Sequence, residues 1–224
     1  MDLRKIKLID MSLSIYHGCP TYPKMPTPII TRIAYRAREG YNAEMMELSD
    51  HVCTHVDTPE HFYDDGGDGV TMPLESFWGP AAILDFRGKV VADQAIGLGD
   101  VRPFGDLIEE GDFALINTGW NEKRGFSAEY LRKWPYIDGE AAAFFRDKGV
   151  KAVGIDGMSL GGYGSMEKAQ PCHEVLLGAG ILIIEEVYFP EEVMDGRKRP
   201  VSAFPLKIVG GSASPVRLVA YDVG

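Results

Sequence analysis

One eleven-residue stretch constrains this chain more than any other. It reads His51-Val52-Cys53-Thr54-His55-Val56-Asp57-Thr58-Pro59-Glu60-His61 and holds three of the five histidines. Positions 51, 55 and 57 share parity, so on an extended strand their side chains leave one face together. A helix would bring 51 and 55 together but not 57. Pro59 opposes a helix through this point, because the residue before a proline disfavours the helical region. The stretch therefore predicts an extended segment with two imidazoles and a carboxylate on one side, a turn at Pro59, and His61 on the loop beyond.

Two histidines and one carboxylate are a ligand set for a catalytic divalent metal that keeps open positions. His51, His55 and Asp57 are the candidate ligands, and His61 has the pKa range for proton transfer near neutral pH. The competing view, unrelated surface or core histidines, suits a lone His better than three at this spacing. A metal site also needs a ligand from elsewhere in the chain. His173 is one candidate. Glu185 is another, because it sits in the apolar run Ile181-Leu182-Ile183-Ile184, where an unpaired carboxylate is costly. Asp156, at the end of a predicted strand, is assigned a supporting role.

Most apolar runs are short and rich in strand formers. Buried strands are predicted at 81–86, 113–117, 152–155 and 181–185, with looser ones at 6–15 and 43–48. Residues 204–209 and 216–221 look like a closing pair joined by a turn at 210–215. Helices are few: Asp138 caps one over 140–148 that stops at Gly149, Ser127 caps a short one to about Lys133, and 173–177 is a third. No linker or repeat divides the chain, so the expectation is one β-rich α/β domain over residues 1–224.

The residues resemble the cyclase family, which includes bacterial kynurenine formamidases and is marked by H-x-G-T-H-x-D-x-P-x-H. Here Cys53 stands where that pattern has glycine. Supporting matches run from Leu8-Ile9-Asp10-Met11-Ser12-Leu13 and Tyr22-Pro23 through Gly79-Pro80 and Asn117-Thr118-Gly119-Trp120 to Phe204-Pro205-Leu206-Lys207. The resemblance implies a swivelling β/β/α fold, usually dimeric or larger. It implies that His51, His55 and Asp57 bind metal, that His173 and Glu185 complete the site, and that Asp57 and Glu185 could bridge two ions. His61 would be the general acid/base and Tyr22 a substrate contact. Zinc is implied for formamidase-like members and manganese for some relatives, one or two ions per chain. Tyr22 departs from the tryptophan common in formamidases, and Gly157-Met158-Ser159 departs from their Thr-Pro-Ser.

The expected function is hydrolysis of a small amide, foremost an aryl formamide such as N-formylkynurenine. Phe62, Tyr63, Trp78 and Trp120 join Tyr22 as candidates for an apolar pocket wall. The alternatives are a manganese-dependent lactone or isatin-type hydrolase, and a metal- or ligand-binding protein without turnover. A serine hydrolase is also conceivable, since Gly157-Met158-Ser159-Leu160-Gly161 matches G-x-S-x-G. The glycine-rich Gly161-Gly162-Tyr163-Gly164 is a poor start for the helix that motif requires.

A net charge of -10 argues against nucleic-acid binding. No apolar leader follows Met1, and the stretch around Leu176 to Ile184 is too short to span a bilayer. Cys19, Cys53 and Cys172 form no C-x-x-C pair, so no disulfide framework is implied. The expected partner is a small-molecule substrate, the expected assembly a homodimer or homotetramer, and the expected location the cytoplasm.

Overall fold

A computed structural model describes residues 3–223. Its core is a nine-stranded mixed sheet. The strands in chain order are β1 (Lys7–Asp10), β2 (Ile29–Ala34), β3 (Ala43–Glu47), β4 (His55–Asp57), β5 (Trp78–Asp85), β6 (Ala95–Ile96), β7 (Phe113–Asn117), β8 (Tyr136–Ile137), β9 (Ala152–Ile155), β10 (Leu182–Glu185), β11 (Arg199–Ser202), β12 (Ala213–Pro215) and β13 (Val219–Asp222). The large sheet has the order β1-β13-β11-β5-β7-β9-β10-β4-β12, while β2-β3 and β6-β8 form separate two-stranded sheets. The central strands β5, β7, β9 and β10 are parallel. Antiparallel wings flank them on both sides.

Both faces of the parallel centre are buried, which is why its strands read as continuous apolar runs. Alternation sorts them. Leu84, Ile116, Val153, Ile155 and Ile183 face a layer formed by α4 (Gly139–Asp147) and α5 (Met166–Leu177), packing with Phe145 and Leu176. Phe113, Leu115, Leu182 and Ile184 face the other way and meet Ile9, Val56, Val201 and Ala220 from the two wings. The wings thus curl toward each other over the second core, giving a helix layer and two β layers. On β9, Gly154 has no room for a side chain: a Cβ there would lie 2.7 Å from a Leu115 methyl.

Several expectations are met in detail. Asp138 accepts from the Ala141 amide to start α4, and Gly149, at φ +70°, ends that helix region. Ser127 likewise caps α3 (Ala128–Arg132) by accepting from the Tyr130 amide. The shorter helices α1 (Arg36–Glu39) and α2 (Leu98–Val101) complete the set.

Three expectations need correction. Residues 204–209 form no strand, and Leu206, Ile208 and Val209 are exposed there. The partners of β13 are β1 and β11 instead, while the supposed turn contains β12, which pairs with β4. Only 55–57 of the histidine stretch is strand, since 50–54 is a bend with Cys53 at φ +53°. Finally, the third helix begins at Met166 rather than His173 and accommodates Pro171 internally.

Candidate metal centre and active site

The sheet register builds the centre. His55 on β4 is directly opposite Glu185 on β10, and Asp57 is opposite Ile183. Two strands far apart in sequence therefore bring an imidazole and a carboxylate side by side at the C-terminal end of the parallel set. The bend before β4 returns His51 to the same point, and Pro59–His61, a single 3-10 turn, returns His61. His173 reaches in from α5. All six residues are buried or nearly so.

The side chains converge on points between them. His51 Nδ1 and His55 Nε2 lie 3.0 and 3.3 Å from Asp57 Oδ1, and His55 Nε2 lies 3.3 Å from Glu185 Oε2. Yet His55 Nε2 and both Asp57 oxygens make no hydrogen bond despite complete burial. Close approach without an aligned donor is what ligand atoms aimed at a common point produce, and orphaned buried polar atoms need such a partner. Two groups have the reach to hold an ion: His51, Asp57 and His61, and His55, Asp57 and Glu185, with ligand atoms in each within 4.8 Å of one another. Asp57 belongs to both. His173 belongs to neither, although its Nε2 is 3.3 Å from Glu185 Oε1.

Outer contacts fix the ring orientations. His55 Nδ1 donates to the Cys53 carbonyl at 2.7 Å, and His173 Nδ1 donates to the Ala169 carbonyl at 2.7 Å. In each, Nε2 is left pointing inward, the arrangement that second-layer partners give metal-binding histidines. Glu185 Oε1 accepts from the Leu160 amide at 2.6 Å and the Ser159 hydroxyl at 3.0 Å. Ser159 thus donates to a carboxylate, and the next helix starts only at Met166, so the serine-hydrolase reading lacks its elbow.

The electrostatics follow from crowding opposite charges in a dry site. Burial opposes charge on His55, but Asp57 and Glu185 outweigh it and hold its pKa well above the ordinary value. Burial pushes Asp57 up, yet His51 and His55 bring it well below the usual carboxylate range. Glu185, raised by burial and Asp57, is brought down to about 2 by His173 and His55. His61 differs: burial dominates and lowers its pKa, which favours the neutral imidazole.

Above the centre is a cavity of about 220 Å³. Tyr22, Met25, Phe62, Met158, Met166 and Ala169 line it beyond the polar floor. Tyr22 packs tilted against Trp134 and edge-on against Tyr163, with ring centroids 5.8 and 5.9 Å away. Phe62 stacks on His173. The other aromatic candidates do not line it: the Tyr63 hydroxyl donates to the Glu174 carbonyl, Trp78 is exposed on β5, and Trp120 is buried behind the wall in a cluster with Tyr130, Trp134 and Met158. The methionines gave no sequence signal, since Met25, Met158 and Met166 come from three separate segments. Asp156 is structural as expected. Its carboxylate accepts from the Thr118 amide and hydroxyl and the Trp120 amide, although burial still lifts its pKa to about 6.

The family model described as "Putative cyclase" matches residues 9–161. A kynurenine formamidase of Salinibacter ruber is 31% identical over 221 residues, covering 96% of this chain and 97% of that protein. One from Bacillus cereus is 28% identical with the same coverage of each. Among solved structures, isatin hydrolase A from Ralstonia solanacearum superposes with a TM-score of 0.88 at 23% identity, covering 97% of this chain and 92% of the other. A structure described as a predicted metal-dependent hydrolase from Bacillus stearothermophilus gives 0.74 at 29% identity, covering 97% and 98%. With its motif at 51–61 set in this curled sheet, the chain belongs to the cyclase family.

Proposed function

We propose that this protein is a metal-dependent hydrolase of a small amide, with aryl formamides as its substrate class. The observation that carries this reading is the convergence of His51, His55, Asp57 and Glu185 on orphaned, buried ligand atoms beneath an apolar cavity. The chemistry of the donor set suits zinc, with manganese as the alternative, and one or two ions per chain. His51, His55 and Asp57 would hold the ion, with Glu185 and His173 completing the site. When bound, the ion supplies Lewis-acid chemistry, polarising the scissile carbonyl and lowering the pKa of water.

The chain's own residues supply the rest. His61, whose neutral form burial favours, takes a proton from the attacking water. It returns that proton to the leaving nitrogen as the C–N bond breaks, releasing formate and an arylamine. Tyr22, held by Trp134 and Tyr163, gives the aryl ring a flat apolar wall. Homo-oligomer formation in the cytoplasm is part of the same proposal. The β2-β3 hairpin supports the oligomer, since Ile33, Met45 and Met46 on it and Tyr41 at its turn are exposed.

Metal content per chain, measured by plasma mass spectrometry on untagged protein, and formate release from formanilide test this reading together. Near two zinc ions with formate release supports the formamidase reading. About one manganese ion without formate release redirects the search to lactones and cyclic amides. No transition metal, and none taken up on addition, overturns the proposal.

A further inference from the structure

We infer that the cavity selects a neutral aromatic substrate and discriminates against one that carries an amino-acid end. This rests on the amide-hydrolase reading of the same site and narrows its substrate class. The cavity wall is sulfur and ring: Met25, Met158, Met166, Tyr22 and Phe62. Thioethers make favourable contacts with aromatic rings and adapt to their outline. About 220 Å³ is room for one ring with short substituents, given that a cavity of about 150 Å³ accepts benzene.

Among the described residues, the lining contains no lysine or arginine. Its one acidic side chain is Glu185, on the floor, where it and the fully buried Asp57 beneath face the histidines. A substrate carboxylate seated against this wall, away from the floor and the ion held there, would lose its water and meet no lysine or arginine, a costly transfer. The nearby cations are committed. The Lys168 ammonium is bound by the Asp93 carboxylate at 2.9 Å. The Arg124 guanidinium is turned to the Ser14 carbonyl and Cys53 Sγ. Lys24 is exposed on the loop between Tyr22 and Met25 and is outside the lining. It is the group that would have to fold over the mouth if a carboxylate were recognised.

The test compares two aryl formamides with the same ortho-acyl ring: 2'-formamidoacetophenone, which is neutral, and N-formylkynurenine, which bears the amino-acid end. With metal-loaded enzyme, kcat/KM for the neutral compound should exceed that for the charged one at least tenfold. Met166→Arg, which puts a cation at the rim, should narrow or invert that ratio. Equal or better turnover of N-formylkynurenine overturns the inference, and loss of that turnover in Lys24→Ala would identify the cation responsible. If neither formamide is hydrolysed, the formamidase reading fails separately. Selectivity is then read from calorimetric titration with 2-aminoacetophenone and kynurenine. Tighter binding of the neutral amine upholds the inference, and tighter or equal binding of kynurenine refutes it.

Discussion

Stripping the metal should lower thermal stability by an amount the structure lets one work out. Asp57 Oδ1, Asp57 Oδ2 and His55 Nε2 are buried without hydrogen-bond partners. Each such atom costs ~1–3 kcal/mol when nothing satisfies it, so the three together set an upper range of ~3–9 kcal/mol. Part of this is recovered in the stripped protein, because His55 gains a proton and faces Asp57 and Glu185 as a cation. Linkage gives an independent figure: ligand at a thousand times its Kd stabilises by ~4 kcal/mol. For a domain of this size each kcal/mol moves Tm by ~2–4 °C, so loading should raise Tm by ~8–16 °C. Scanning calorimetry on chelator-treated protein, before and after adding back zinc or manganese, measures the shift. Asp57→Ala should abolish it, because Asp57 belongs to both candidate ligand groups. A rise under ~2 °C at saturating metal, or an undiminished rise in Asp57→Ala, would refute the reasoning.

Two further predictions concern protons. His61→Ala should keep its metal while kcat falls ~100- to 10,000-fold, the usual range for losing a general base; loss of metal in that variant would instead make His61 a ligand, as its grouping with His51 and Asp57 permits. Metal affinity should rise with pH, because His55 and His173 have raised pKa values and must shed protons to expose their lone pairs. Each displaced proton gives about tenfold per pH unit below its pKa, so chelator competition at pH 6 and pH 8 should differ strongly, and a flat profile would contradict the assignment.

What could be read from the sequence was local. The contiguous stretch 51–61 fixes spacing, parity and turn, and it supplies four of the candidate site residues, His51, His55, Asp57 and His61. Glu185 was visible because a carboxylate closes an apolar run. Long-range pairing was not visible. β12, Ala213–Pro215, is small and contains proline, so it resembles a turn; it is a strand because it lies at the sheet edge, where a missing amide donor does little harm. Residues 204–209 have the opposite character, with β-prone composition but no strand to pair with. The start of α5 was hidden by Pro171, which argues for a break, although the helix runs through it and carries His173 inward. Even parity was only half sufficient: His51 reaches the site from a bend, by a route that alternation does not describe.

That bend is where the departure from the family's glycine becomes physical. Cys53 adopts φ +53°, a left-handed conformation that disfavours any side chain. The conformation aims the Cys53 carbonyl at His55 Nδ1, 2.7 Å away, which turns Nε2 toward Asp57 and Glu185. Backbone shape at 53 thus sets the tautomer of a candidate ligand. The thiol offsets some of the strain through its burial, its contact with Cys19 Sγ at 3.5 Å and the bond it accepts from Arg124 Nη2 at 3.1 Å. Cys53→Gly and Cys53→Ala both lose those contacts, so their difference isolates the backbone. Glycine regains ~1–2 kcal/mol of left-handed strain and gives back ~0.5–1 kcal/mol in unfolded-state entropy. Cys53→Gly should therefore be the more stable variant, by up to ~1.5 kcal/mol in urea unfolding, and it should bind metal at least as tightly. If Cys53→Ala proved the more stable, the left-handed bend would not be intrinsic to this loop, and another feature would have to hold the His55 ring in place.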